Sequence, residues 1–227
     1  SGATFNDLQT SGYTIHNYSF GATAGTFVFT NNGTYVRNAA NTSYVDVPFN
    51  NNGTVSVVAG DLQFRSGGTL ATSGTISAAS GTNVYFTDGF VVANGTSLTG
   101  AGRYWLTGGT LDVPGTINVS TLNQTGGILA GTNVLNGVIN WTGGNWNTAA
   151  VGATTTIAST ATLNMDNGGY RDFHRRAIVN NGVVNWNSGY IRSGSDGSFT
   201  NASGATFNDL QTSGYTIHNY SFGATAG

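Results

Sequence analysis

At 227 residues the chain is only 7% charged, where an ordinary soluble domain carries roughly 25%, and its formal net charge is −2. All seven basic residues are Arg and all nine acidic ones Asp, with no Lys, Glu or Cys, while Gly, Thr, Asn and Ser fill 115 of 227 positions. This composition excludes a mostly helical protein, a disordered one (38% of residues are hydrophobic and 11% aromatic), a nucleic-acid binder with a dense basic stripe, and any disulfide or thiolate metal site.

Residues 1–25, SGATFNDLQTSGYTIHNYSFGATAG, recur without a change as residues 203–227. Identity at every position reads as a tandem array with a 202-residue period: 1–202 is one full repeat and 203–227 the start of the next. With no leader and no initiator Met, the sequence is expected to be a mature piece or an interior fragment whose ends are cuts. No apolar run approaches the ~20 residues of a membrane span, so no membrane insertion is expected in this region. Within residues 13–20, Tyr13, Ile15 and Asn17 alternate with Thr14, His16 and Tyr18. His16 is expected on the outer face, as a lone exposed imidazole or a contact between fibres.

Farther along, a turn signal followed by a short β-rich run returns at Gly33, Gly53, Gly74, Gly95, Gly115 and Gly137, then near Thr160 and at Gly182 and Gly204. The steps are 20–23 residues, with one of 31 closing the period, so about nine units fill each 202 residues. Phe29, Phe49, Leu70, Val91, Leu111, Ile178 and Phe199, ahead of the turns, keep the same beat. After the turns the sequence alternates with period two, as in half-buried strands. This aligns an inward column of Val55, Ile76, Ile117, Ile139, Leu163, Val184 and Phe207, with Thr, Ser and Asn outward. Asn31, Asn32, Asn51, Asn52, Asn180 and Asn181 at the turns are expected to form hydrogen-bonded ladders.

Asn-Gly pairs also signal hairpins, which would build an antiparallel sandwich. A fixed beat of about 21 residues instead favours an all-β parallel solenoid, because like positions in successive coils must sit ~4.8 Å apart. The usual crossover rule makes it right-handed. The cadence of FNNNGTVSVVAGDLQF, LTGGTLDVPGTINV and QTGGILAGTNVLNGVINWTGGNW resembles the Gly/Asn/Thr-rich repeats of filamentous-haemagglutinin-like adhesins and autotransporter passenger domains. The resemblance covers essentially the whole chain. It implies an extracellular bacterial β-helix used for reach, adhesion or matrix building, and carries over no active residue.

The charge-dense stretch MDNGGYRDFHRR holds Asp166, Arg171, Asp172, His174, Arg175 and Arg176. With Tyr13, His16 and Tyr18 it is the candidate surface for lateral contact with another fibre or a glycan. The bland alternative is a loop whose Asp–Arg pairs lie on a solvated face. Trp141, Met165 and Trp186 share one unit position and are expected inside; Trp105 and Trp146 fall outside that column, and Trp146 is a candidate for exposure. A Thr column (Thr34, Thr54, Thr75, Thr96, Thr116), interrupted by Val138 and Val183, suits a pleated surface better than an ice-binding array. Catalysis would need carboxylates converging in a groove, which scattered Asp residues do not supply. The expectation is a non-enzymatic extracellular fibre subunit with no cofactor, associating end to end and laterally. The alternatives are a spacer stalk of a large adhesin and a glycan-binding β-helix.

Overall fold

The computed structural model describes residues 2–18, 25, 27–94, 96, 98–149 and 151–220. The turn glycine Gly95, Ser19 and Phe20 of the long step, and residues 221–227 of the second copy lie outside them. Among the described residues there is no helix, and the strands pair in parallel as one continuous solenoid. Each coil has three faces. Thr4–Asp7 lies on the first, Gly12–His16 on the second and Phe29–Asn31 on the third, after which 34–37 stacks on Thr4–Asp7.

One column runs through the second face from coil to coil: Gly12, Ser43, Leu62, Val84, Tyr104, Leu122, Ile139, Leu163, Val184 and Phe207, nine axial steps in all. From Leu62 to Val184 these side chains are buried. Burying an aliphatic or aromatic side chain contributes ~1.5–3 kcal/mol, and the columns of the three faces meet along the axis. Phe49, Phe64, Phe86 and Phe90 pack there with ring centroids 4.9–5.8 Å apart.

The inward column expected from the sequence is two columns. Val55, Ile76 and Ile117 lie on the first face, whereas Ile139, Leu163, Val184 and Phe207 lie on the second. The slip occurs where 115–145 runs almost without spacers, as strands Gly115–Ala130 and Asn133–Asn145. Their corners are so tight that Ile117 pairs with Leu135 and Leu122 with Ile139. Gly137 is therefore not the counterpart of Gly115, which pairs with Asn133; the 22-residue step between the two glycines spans one coil and a third. Two other beats are corrected the same way. Val91 faces outward between inward Phe90 and Val92, and Ile178 and Phe199 lie on the first face, not with Phe29 and Phe49 on the third.

The two identical segments consequently occupy different faces. Thr4–Asp7 is stacked on by 34–37 on the first face, whereas its copy Thr206–Asp209 stacks on Val183–Trp186 on the second. From Phe5 to Phe207 the chain makes nine turns and a third. Among the described residues each copy is paired along one edge only, and the edges are opposite: the first copy meets a later coil, the second an earlier one.

The corner between the second and third faces is built from glycine. Gly109, Gly127 and Gly144 stack there with φ of 59°, 66° and 73°, and a Cβ on Gly144 would strike the carbonyl oxygens of Gly126 and Gly127 in the coil below. Replacement by Ala meets both a left-handed backbone and a backbone clash, neither of which a rotamer change relieves. Gly144→Ala is expected to lower unfolding stability by ~2 kcal/mol or more in urea titration. Gly89→Ala, where a Cβ meets nothing within 4 Å, should stay within ~0.5 kcal/mol.

Candidate functional site

The charge-dense stretch does not form one surface patch. Period-two alternation through Tyr170–Asp172 sends Tyr170 outward and Arg171 inward, and Arg176 points inward at the start of Arg176–Asn180. Both guanidinium groups are fully buried, so Arg171 and Arg176 drop out of the expected lateral contact. Inside, they donate to backbone carbonyls of neighbouring coils. Arg171 Nε donates to Trp141 O at 2.7 Å, and Arg176 donates to Trp146 O (2.6 Å), Gly131 O (2.7 Å) and the Thr155 hydroxyl (2.7 Å). Burial pulls both groups down to about 10, against the attraction of Asp166 and Asp172 on Arg171 and of Asp112 on Arg176.

The remaining members of the stretch are spread along the coil. Asp172 and Arg192 form a two-pronged pair at 2.7 and 2.8 Å, with the guanidinium over the Tyr170 and Tyr220 rings at 3.7 and 4.0 Å. Asp166 is exposed and accepts from the Asn167 N–H (2.7 Å) and the Ser188 hydroxyl (2.8 Å). These bonds, the first more than the second, hold its carboxyl below the usual carboxylate range. His174 is half-buried; burial, then Arg175, lowers its imidazole pKa, and its backbone N–H donates to Asn147 Oδ1 at 2.7 Å. Arg175 sits at the corner with φ 58° and donates to Ala149 O at 2.8 Å.

Tyr13, His16 and Tyr18 are all exposed. The strict alternation expected of this segment fails at Tyr13, because a register shift between Tyr13 and Ile15 turns Tyr13 outward while Ile15 stays buried. Tyr13 consequently touches His16, their rings 5.4 Å apart, and Tyr44 at 5.6 Å; Arg65 covers both tyrosines. In the second copy the equivalent Tyr215 and His218 pack against Tyr190 instead, at 5.0 and 6.0 Å.

Trp141, Met165 and Trp186 are in register and buried. Trp146, the candidate for exposure, is buried too, stacked on Trp141 at 4.0 Å and 3°. Trp105 is the half-exposed indole. Of the expected turn ladders, Asn31 donates to Asn51 (2.7 Å), Asn52 to Asn32 (2.8 Å) and Asn180 to Asn201 (2.7 Å), whereas Asn181 contributes a backbone bond to Ile157 O. Thr34, Thr54 and Thr75 stack as expected, but Thr96 is buried and bonds Ala93 O.

A longer ladder runs up the outward side of the second face. Asn208, Asn185, Asn164 and Asn140 each donate Nδ2 to the Oδ1 of the asparagine one coil down, 2.9 Å each time, ending at Asn123. Its signal is the same phase in TLNQ, VINW, TLNM, VVNW and TFND. Below Asn123 the stripe changes to Trp105 and Tyr85. These columns define a three-faced parallel β-solenoid with a polar ladder along one flank. No protein-family model, curated protein or solved structure matches the chain.

The buried guanidinium groups make a direct test of this interior. Arg176→Met leaves the Gly131 and Trp146 carbonyls and the Thr155 hydroxyl without this donor, and is expected to lower unfolding stability by ~3 kcal/mol or more. The exposed Arg103, changed to Ala, should stay within ~0.5 kcal/mol in the same denaturant titration.

Proposed function

We propose that the chain is a stretch of a long extracellular fibre on or around a bacterial cell, built from tandem 202-residue β-solenoid repeats and serving a structural, non-enzymatic role. The observation that carries this reading is the opposite-edge pairing of the two identical segments. At the first copy, Asp7 is buried and held by the Tyr35 hydroxyl (2.7 Å) and Arg37 Nη1 (3.2 Å) of the next coil. At the second copy, Asp209 is exposed and accepts the Gln211 N–H. Laying the first copy over the second gives the strand a partner on both edges. It also brings the Tyr35 and Arg37 of a following repeat onto the Asp209 carboxylate.

Nine coils and a third at ~4.8 Å predict a rise of ~45 Å per repeat, with a rotation of a third of a turn. Helical reconstruction of a filament made from several repeats in tandem measures both quantities. A repeat that returns to the same face, or a rise far from ~45 Å, would sink the proposal. The junction also has its own test. Asp7→Ala should detach the first coil, read as faster amide exchange over 4–16 and ~2–3 kcal/mol of lost local stability, because it strands Arg37. Asp209→Ala should leave the 227-residue chain unchanged, yet cost as much as Asp7→Ala once a further repeat follows it.

A further inference from the structure

We infer that the second face carries a binding groove for a neutral glycan chain, running along the fibre axis from Trp105 to Asn187. The groove begins where tall side chains give way to short ones. The Trp105 indole stacks by one face on Tyr85, centroids 5.7 Å apart and 17° from parallel, and its Nε1 donates to Asn83 Oδ1 at 3.0 Å. The ring is thus fixed in place. Its other face overlooks Asn123, the next residue in register, across a cleft of about 420 Å³. A pinned, half-exposed aromatic face is the surface on which the C–H side of a sugar ring packs.

The floor of the cleft is the asparagine ladder, and the ladder has a direction. Each amide accepts from the coil above and donates to the coil below, so each bond polarises the next and the last N–H is the strongest donor. That last donor is Asn123 Nδ2, which is buried and has no partner. A buried N–H left unpaired costs ~1–3 kcal/mol, a penalty that a hydroxyl seated beside Trp105 would remove. The rim supplies the complementary groups one row out: the hydroxyls of Thr125 and Thr142, the Asp166 carboxylate and the Asn187 amide. Mixed donors and acceptors around one aromatic platform match polyhydroxylated rings.

Two further features narrow the ligand. The cleft spans four coil steps, ~19 Å along the axis, which suits an extended oligosaccharide lying parallel to the fibre. The one charged side chain lining it is Asp166, an anion, which disfavours uronate or sulfated chains and favours neutral ones. The site lies wholly within the single 227-residue chain, so its fate is independent of the fibre proposal.

The test titrates the 227-residue chain with β-1,4-linked glucose and N-acetylglucosamine oligomers, from disaccharide to hexasaccharide, with oligogalacturonate as the anionic comparator. Because Trp141, Trp146 and Trp186 are buried, a change in indole emission reports on Trp105. The expected result is an emission shift with a neutral oligomer, with affinity rising up to about the tetrasaccharide and then levelling. Asn123→Asp keeps the acceptor for Asn140 and removes the free donor; with folding confirmed by circular dichroism, because the new carboxylate is largely desolvated, it should weaken binding about tenfold by calorimetry. Trp105→Ala should weaken it by at least as much. No response to any neutral oligomer at millimolar concentration, tighter binding of oligogalacturonate, or an affinity untouched by both substitutions would overturn the assignment.

Discussion

Stacking in a parallel solenoid repeats each environment every ~4.8 Å, so a residue's nearest neighbours are its own counterparts one coil up and one coil down. A charge at a fixed position would face its like at that spacing, which is costly; neutral Thr, Ser and Asn can instead bond along the column. This constraint accounts for the scarcity of charge better than any consideration of solubility. It also governs the charges that remain. Asp7 is in register with Arg37 and Asp172 with Arg192, so acid lies on base in adjacent coils. The stacked glycines at 109, 127 and 144 answer to the same rule, since a side chain on any of them would invade the coil beneath.

The fold class was legible because the hydrophobic beat and the period-two alternation are consequences of that stacking. The face on which a given coil begins was not. A beat counts residues, whereas a coil is closed by corners, and in 115–145 the corners shrink until 17 or 18 residues complete a turn. Counting glycines therefore slipped by a face between Ile117 and Ile139 without any local anomaly to mark it. Tyr13 was misplaced for a related reason, a single register shift that a two-residue period cannot represent.

Charge density alone marks Arg171 and Arg176 as surface groups, but their phase places them inside. Both occupy inward positions of their strands, as Arg37 does beside Tyr35. The guanidinium has donors on both arms of a rigid fork, which lets Arg176 reach the Trp146 and Gly131 carbonyls at once. Trp105 and Trp146 are likewise indistinguishable in the sequence, since no period separates an aromatic stacked inside a corner from one stacked outside a face.

The extra third of a turn between identical segments has a consequence for any surface the repeat carries. In a tandem array, a groove on one side of the first repeat would point 120° away in the second and a further 120° away in the third, and return to its bearing only in the fourth. Such a fibre would have neither a front nor a back. Partners gripping equivalent sites would radiate in three directions along its length, a geometry that knits fibres into an open mesh and cannot lay them side by side as a flat ribbon.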